Sequence, residues 1–389
     1  MTERFSPGKI QFATPAQLAL LRAGLLEGSA AAEAANRWLA LLGNEGTDPG
    51  LHQLDLASRR LLPLVYRNAK HSLPPRFQIA LRSVHHEYWA ENQKRLMRLQ
   101  ELLPWFEADG IPTLVLKGMA LSILHYRDMA LRPMSDLDIL VPEERAPKIV
   151  SRLLHNGWTF DYYLPSAPTK RYFYRHTHAI SFTHRDYGDL DLHWHALAEA
   201  TFRGADQPFW TGSVPLTVNT IKTRALNPTD QLLHACVHGF RANDLPPIRW
   251  VADAITILRT NPINWTRLVT LAKELHVTIP LGASLSFLRE AFPATIPEDV
   301  VENLKAAPLD QGERRYFETL AHHSPDWRDV LAYNLERHRR ANRDRSPIFG
   351  MPTFPRQLQL HYNLPQLKDL GTFAFARLGK RILKGLGHS

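Results

Sequence analysis

The chain has 389 residues, 44% of them hydrophobic and 22% charged, which is the composition of a folded globular protein of two or three units and excludes wholesale disorder. A single cysteine excludes a disulfide framework and a cysteine-based zinc finger, and no apolar run approaches the roughly 20 residues needed to span a bilayer. The net charge of +9 is uneven: from residue 331 onward eleven Lys and Arg face three Asp and Glu, so a basic tail is indicated and a domain-wide nucleic-acid face is not.

Met1 to Phe12 mixes charges with Pro and Gly and lacks the apolar centre of a signal peptide, which points to the cytoplasm. Thr14-Pro15 predicts an N-cap and a first-turn proline, opening an Ala/Leu-rich helix that reaches about Leu42 and stops at Gly43-Asn44. A second helix is expected around Leu54 to Tyr66. A third carries Val84, Tyr88, Leu96, Leu99, Leu103 and Phe106 at helical spacing up to Gly110. The pattern then changes. Thr113 to Leu116 has the length of a strand, Lys117-Gly118 breaks it, and Met119 to Tyr126 is helical. Leu137 to Val141 is a second strand led by Asp136, and Pro142-Glu143-Glu144 opens another helix that ends at Asn156-Gly157. Strands follow at Ala179–Thr183 and Leu190–Trp194, joined by a turn around Asp186 to Gly188. After Asn227-Pro228-Thr229 the sequence returns to helices until about Asn342.

This order predicts an α+β (mixed α/β) fold: residues 1–108 helical, 109–225 a catalytic core with a small mixed sheet, 226–342 a second helical domain, and 343–389 a basic tail containing Pro and Gly. The amphipathic stretch 373–386 interleaves Lys and Arg with Phe, Leu and Ile, and suits peripheral contact with an anionic membrane, at the inner face.

The chemistry-bearing residues lie in the core. Asp136 and Asp138, two apart on a strand, point to one face, and paired carboxylates in a cleft call for a hard cation, Mg²⁺ or Mn²⁺. Asp191 on a later strand offers a third carboxylate, with Asp189 on the same face as its competitor. Lys117-Gly118 between strand and helix, with the backbone N–H groups of Met119 and Ala120, suits phosphate, and Arg132 adds a further cation. His193 and His195 alternate with Asp191. A zinc site from these and His176, His178 and His184 is the weaker alternative to His193 as a support beside the acidic site. His234 and His238 read as a buried hydrogen-bonded pair more readily than as a metal pair, and Cys236 as core.

Leu116-Lys117-Gly118, then Leu131-Arg132-Pro133-Met134-Ser135-Asp136-Leu137-Asp138-Ile139-Leu140-Val141, then Asp191-Leu192-His193-Trp194 resemble the largely uncharacterised bacterial nucleotidyltransferase family of the DNA polymerase β-like superfamily. The resemblance is strongest from about Glu101 to Asn261. It departs from the superfamily at Gly118, followed by Met119 rather than Ser, and in the longer gap from Gly118 to Asp136.

The resemblance implies a metal-dependent transfer of a nucleoside monophosphate from an NTP, ATP first, to a hydroxyl or phosphate acceptor that the sequence does not identify. Asp136 and Asp138 would bridge two divalent ions, and Asp191 would hold the ion nearest the attacking hydroxyl. Lys117, Gly118, Met119, Arg132 and Ser135 would bind the nucleotide. The alternatives are a degenerate fold that binds nucleotide or a partner without catalysis, and phosphate or sugar-phosphate transfer at the same metal site.

Overall fold

The computed structural model describes residues 11–43, 50–160, 167–240, 246–308, 311–321, 327–343 and 351–373. The expected first helix is two. α1 (Pro15–Leu25) starts at the Thr14 cap, where Thr14 and Gln17 exchange side-chain-to-backbone hydrogen bonds, and α2 (Gly28–Leu42) follows after a break. Two short helices, α3 (Leu56–Arg59) and α4 (Leu62–Ala69), lead into α5 (Pro75–Ala108), a 34-residue helix.

The sheet begins at β1 (Leu114–Val115), followed by α6 (Lys117–Leu121), which continues as a π-helical turn over Ser122–Tyr126. Next come β2 (Asp136–Leu140), α7 (Ala146–His155), α8 (Ala167–His176), β3 (Ala179–His184) and β4 (Gly188–His193). A short α9 (Gln207–Thr211) precedes a hairpin, β5 (Val214–Val218) and β6 (Ile221–Ala225), which adds two strands to those the sequence predicts. The hairpin turns at Asn219, whose φ of +53° is one that Asn tolerates. The six strands form one mixed sheet in the order β3-β4-β2-β1-β6-β5; β2 runs parallel to β4, and β1 antiparallel to β2.

The later described residues are helical: α10 (Pro228–Gly239), α11 (Arg249–Thr260), α12 (Trp265–Glu274), α13 (Thr278–Ala291), α14 (Glu298–Lys305), α15 (Gln311–Ala321), α16 (Trp327–Ala341) and α17 (Phe354–His361). No described helix is long and apolar enough to cross a membrane. Of the basic stretch 373–386, all but Phe373 lies outside the described residues.

Among the described residues two hydrophobic cores organise the fold. The larger joins helices from both ends, from Phe12 to Phe317. The smaller covers the opposite face of the sheet. Alternation along the strands assigns each face: Leu137, Ile139, Leu190 and Leu192 enter the smaller core, while Leu114, Leu116 and Leu140 face the larger. Helix α5 serves both, with Phe77, Leu81 and Val84 in the larger core and Leu96 to Phe106 in the smaller. Asp136, Asp138, Asp189 and Asp191 alternate with the leucines of the smaller core. They therefore lie on the face turned toward the helical body.

Candidate active site

Because β2 and β4 are parallel neighbours, Asp136 stands opposite Asp189 and Asp138 opposite Asp191. Asp138 is only 4% exposed. Asp191 is half-buried, and Asp189 is exposed and accepts a hydrogen bond from Thr183 Oγ1 at 2.9 Å. Ligand atoms of Asp138, Asp191 and His193 lie within 4.8 Å of one another, which makes this trio a group able to hold a metal ion. Of the two competitors for the third carboxylate, Asp191 is the one in the trio. His193, expected beside the site, is a member of it: its Nε2 is 3.0 Å from Asp138 Oδ1 and its Nδ1 has no partner among the described residues. Asp136, half-buried at the start of β2, is outside the trio.

Lys117 reaches the same carboxylate oxygen, its Nζ 2.6 Å from Asp138 Oδ1. Burial alone would raise the Asp138 pKa, but Lys117 and the His193 hydrogen bond overcome it and hold the carboxyl well below its ordinary range. Asp191 shifts the other way. Burial raises it, and the charge on Asp138 adds to the rise. The two neighbouring carboxyls are thus pushed in opposite directions, Asp138 down and Asp191 up.

The Lys117 backbone has φ +40°, uncommon for a residue with a side chain. The strand-to-helix turn is held there by its surroundings. At Gly118 a Cβ would come within 2.8 Å of Arg132 Nη1 and 3.0 Å of Met134. The space over this glycine is taken by those side chains rather than left open above the backbone. The Met119 side chain is buried in the smaller core, so only its backbone is on offer. Ser135 is exposed. Arg132 is buried and paired with Asp253 through two hydrogen bonds, Nε to Oδ1 at 3.2 Å and Nη2 to Oδ2 at 2.9 Å. Tyr126 donates to Asp253 as well, at 2.9 Å.

The remaining histidines divide. His176 stacks on Tyr172 at 3.6 Å between ring centroids, is bonded by Asn342, and is not part of the metal-capable trio. His184 packs on Trp158 and Tyr187, and His195 is held by Asp206 at 2.6 Å. Among the described residues no zinc-type cluster forms from them. His234 is buried, donates from Nε2 to the Ala196 carbonyl at 3.0 Å, and is driven down to a pKa of about 3 by burial and the nearby Lys117. His238 stacks parallel to it at 6.0 Å but is exposed. Cys236 is fully buried, and burial pushes its thiol up.

A cavity of about 210 Å³ opens beside Lys117, lined by Leu116, Arg132, Gln231, Arg249 and Trp250 among others. Sequence reasoning missed Arg249 and Gln231 as site residues; an arginine beside Trp250 in the apolar stripe of α11 was the available signal. It also missed Arg60. This residue, just past α3, interacts electrostatically with Asp136 and Arg132.

No curated protein matches the chain. Among solved structures it is similar to the lincosamide antibiotic adenylyltransferase LnuA in its lincomycin-bound form, at 18% identity, covering 35% of this chain and 83% of that chain, with a TM-score of 0.26. The family model described as "uncharacterised nucleotidyltransferase" matches residues 54–293, from α3 through the sheet and the carboxylates to α13, and the chain belongs to that family.

Proposed function

We propose that the protein transfers a nucleoside monophosphate from an NTP, ATP first, to a hydroxyl or phosphate acceptor, with Mg²⁺ or Mn²⁺ held by Asp138, Asp191 and His193. The observation that carries this reading is the trio itself, two carboxylates and an imidazole within 4.8 Å beside a lysine, in a chain of a nucleotidyltransferase family. Oxygen-rich ligands and an unpartnered His193 Nδ1 fit a divalent ion. Such an ion supplies charge neutralisation to phosphate oxygens and polarises the phosphorus.

The chain's own groups do the rest. Lys117 keeps Asp138 ionised and faces the departing phosphates. The acceptor oxygen bonds to the α-phosphorus as the bond to the bridging oxygen breaks, pyrophosphate leaves, and Asp191 takes the acceptor proton. Asp136, which interacts electrostatically with Arg60 and Arg249, completes the acidic edge. The phosphates then lie toward Lys117, Ser135 and the Met119 backbone rather than over Gly118, whose space Arg132 and Met134 fill, and Arg132 stays with Asp253. In this reading residues 109–225 form the catalytic unit between helical regions 1–108 and 226–342, and stretch 373–386 brings the enzyme to anionic membrane.

One observation favours a second reading. The Lys117 ammonium already gives Asp138 a cation at 2.6 Å, and a chain that kept this pair when nucleotide bound would bind without transferring. Incubation with α-³²P and γ-³²P NTPs and the small-molecule fraction of a cell extract separates the readings. Label from the α position should enter a product while γ label leaves as pyrophosphate. Asp191→Asn should abolish transfer and retain nucleotide binding better than Asp138→Asn. Transfer of γ label, or none with nucleotide bound, overturns the proposal.

A further inference from the structure

The cavity beside Lys117 is short of anions. Three cations line it, and two have carboxylates of their own: Lys117 has Asp138, and Arg132 has Asp253. Arg249 has only a carbonyl, Pro133 O at 3.0 Å from its Nη1, and no carboxylate ion pair among the described residues. Burial, with Arg132 close by, drives its pKa down to about 9, and the charges of Asp253 and Asp136 offset this only in part. Two further donors stand in the same wall. Gln231 and Trp250 are 6% and 5% exposed, and neither Gln231 Nε2 nor Trp250 Nε1 has a hydrogen-bond partner among the described residues. Buried donors without partners are costly, so several around one cavity describe the ligand that would satisfy them.

The other walls are apolar, built from Val115, Leu116, Leu121 and Leu226. Inorganic phosphate alone has no use for such walls; an anion with a carbon body does. A volume of 210 Å³ is that of roughly seven waters, below the range of drug-sized pockets, and too small for a segment of protein or nucleic acid. Lys117, His234 and His238 line both this cavity and the narrow cleft that runs past His193. The cavity therefore adjoins the trio of Asp138, Asp191 and His193.

We propose that this cavity is the acceptor subsite and that the acceptor is a small organic anion. Its carboxylate or phosphate head is taken by Arg249, Trp250 and Gln231 donate to the head's oxygens, and its body lies along Leu116, Leu121 and Leu226. This rests on the nucleotidyl-transfer reading, with the acceptor's nucleophilic end directed past Lys117.

The test is titration calorimetry on the full chain with benzoate and phenyl phosphate as probes and neutral benzyl alcohol as control, with and without saturating α,β-methylene ATP. Both anions should bind, the alcohol should not, and the nucleotide analogue should leave anion binding intact. Arg249→Gln should weaken the anions at least tenfold with analogue affinity within twofold. Trp250→Phe, which keeps the ring but removes the N–H, should weaken them several-fold with its melting point preserved. Anion affinity unchanged in both variants overturns the site. Displacement of the anions by the analogue or by inorganic pyrophosphate overturns the acceptor role and assigns the cavity to the nucleotide's phosphates. Anion binding that depends on Arg249, in a protein that transfers no α label to any acceptor, overturns the acceptor role through the reading it rests on. Normal transfer with no anion binding strikes the subsite alone.

Discussion

Replacing Lys117 with Met keeps the volume of the side chain and removes its charge from Asp138. What remains around that carboxylate is His193 at 3.0 Å, the carboxyl of Asp191 and, without a hydrogen bond to it, the Arg132 guanidinium that Asp253 already pairs. Breaking a buried ion pair by removing one partner costs about 3–5 kcal/mol. An independent route gives a similar figure. If Asp138 escapes by taking a proton, holding a carboxyl protonated at pH 7 against an unfolded pKa near 3.9 costs about 4 kcal/mol. Protonating His193 instead would leave its Nδ1–H buried and unpartnered among the described residues, itself a cost of about 1–3 kcal/mol. In the wild type the Asp138 pKa is held well below the usual range, so its contribution is fully present between pH 5 and 7 and is lost only as pH falls further. In Lys117→Met the protonated form is the stable one, and its cost shrinks to about 1.5 kcal/mol at pH 5. Urea unfolding of both proteins in EDTA should therefore show a gap that narrows from pH 7 to pH 5. Mn²⁺ should restore the variant more than it stabilises the wild type, since a cation between Asp138 and Asp191 replaces the ammonium. A gap under 1 kcal/mol at pH 7, or one that does not narrow, would refute the ion pair as an element of the site.

His176 is buried neutral, its pKa driven to about 3 by burial, with Nδ1 bonded to the Tyr172 carbonyl. The unfolded chain takes up that proton first, so this stability is present above about pH 6.5 and is lost toward pH 3, about 2 kcal/mol of it between pH 7 and 5. His176→Gln should flatten the pH dependence of unfolding by that amount, and an unchanged slope contradicts it. Gly239→Ala would place a Cβ 2.2 Å from Trp250 Cγ, and a thermal melt should report a loss of about 3 kcal/mol; a variant as stable as the wild type would show that the ring can move aside. Deleting residues 373–389 should weaken binding to anionic vesicles at low salt, and equal binding by both forms removes the membrane role.

The local signals in this chain carry local structure. The Thr14 cap, the strand at Asp136 and the period-two placement of Asp136 with Asp138 and of Asp189 with Asp191 each depend on residues within a few positions, and each is as the sequence predicts. Which carboxylate meets which depends on the β2–β4 register, set between strands some fifty residues apart, and no local pattern encodes it. His193 joins the trio although its register partner is Leu140, because an imidazole is long enough to reach back to Asp138. The β5–β6 hairpin was legible in principle, with Asn219-Thr220 between two alternating runs.

The larger gap concerns the helices, since amphipathic spacing identifies a buried face without saying what buries it. Residues 1–108 and 226–342 read as two regions, yet their apolar faces close on each other in a single core, and Leu114, Leu116 and Leu140 of the sheet are buried by the same cluster. The charges follow this arrangement. Arg60 comes from the first helical region, Arg132 from the core and Arg249 from the second, and they converge near Asp136 and Asp253. Arg132 stands out in sequence beside the acidic strand, whereas Arg60 and Arg249, each read alone, are ordinary surface or structural arginines. A fragment spanning only 109–225 would expose one face of its sheet, leave Arg132 without Asp253 and lose Arg249, Gln231 and Trp250 together. The carboxylates of the candidate site are thus carried by two short stretches, β2 and β4, while the cavity beside them exists only when α10 and α11 have folded against the sheet.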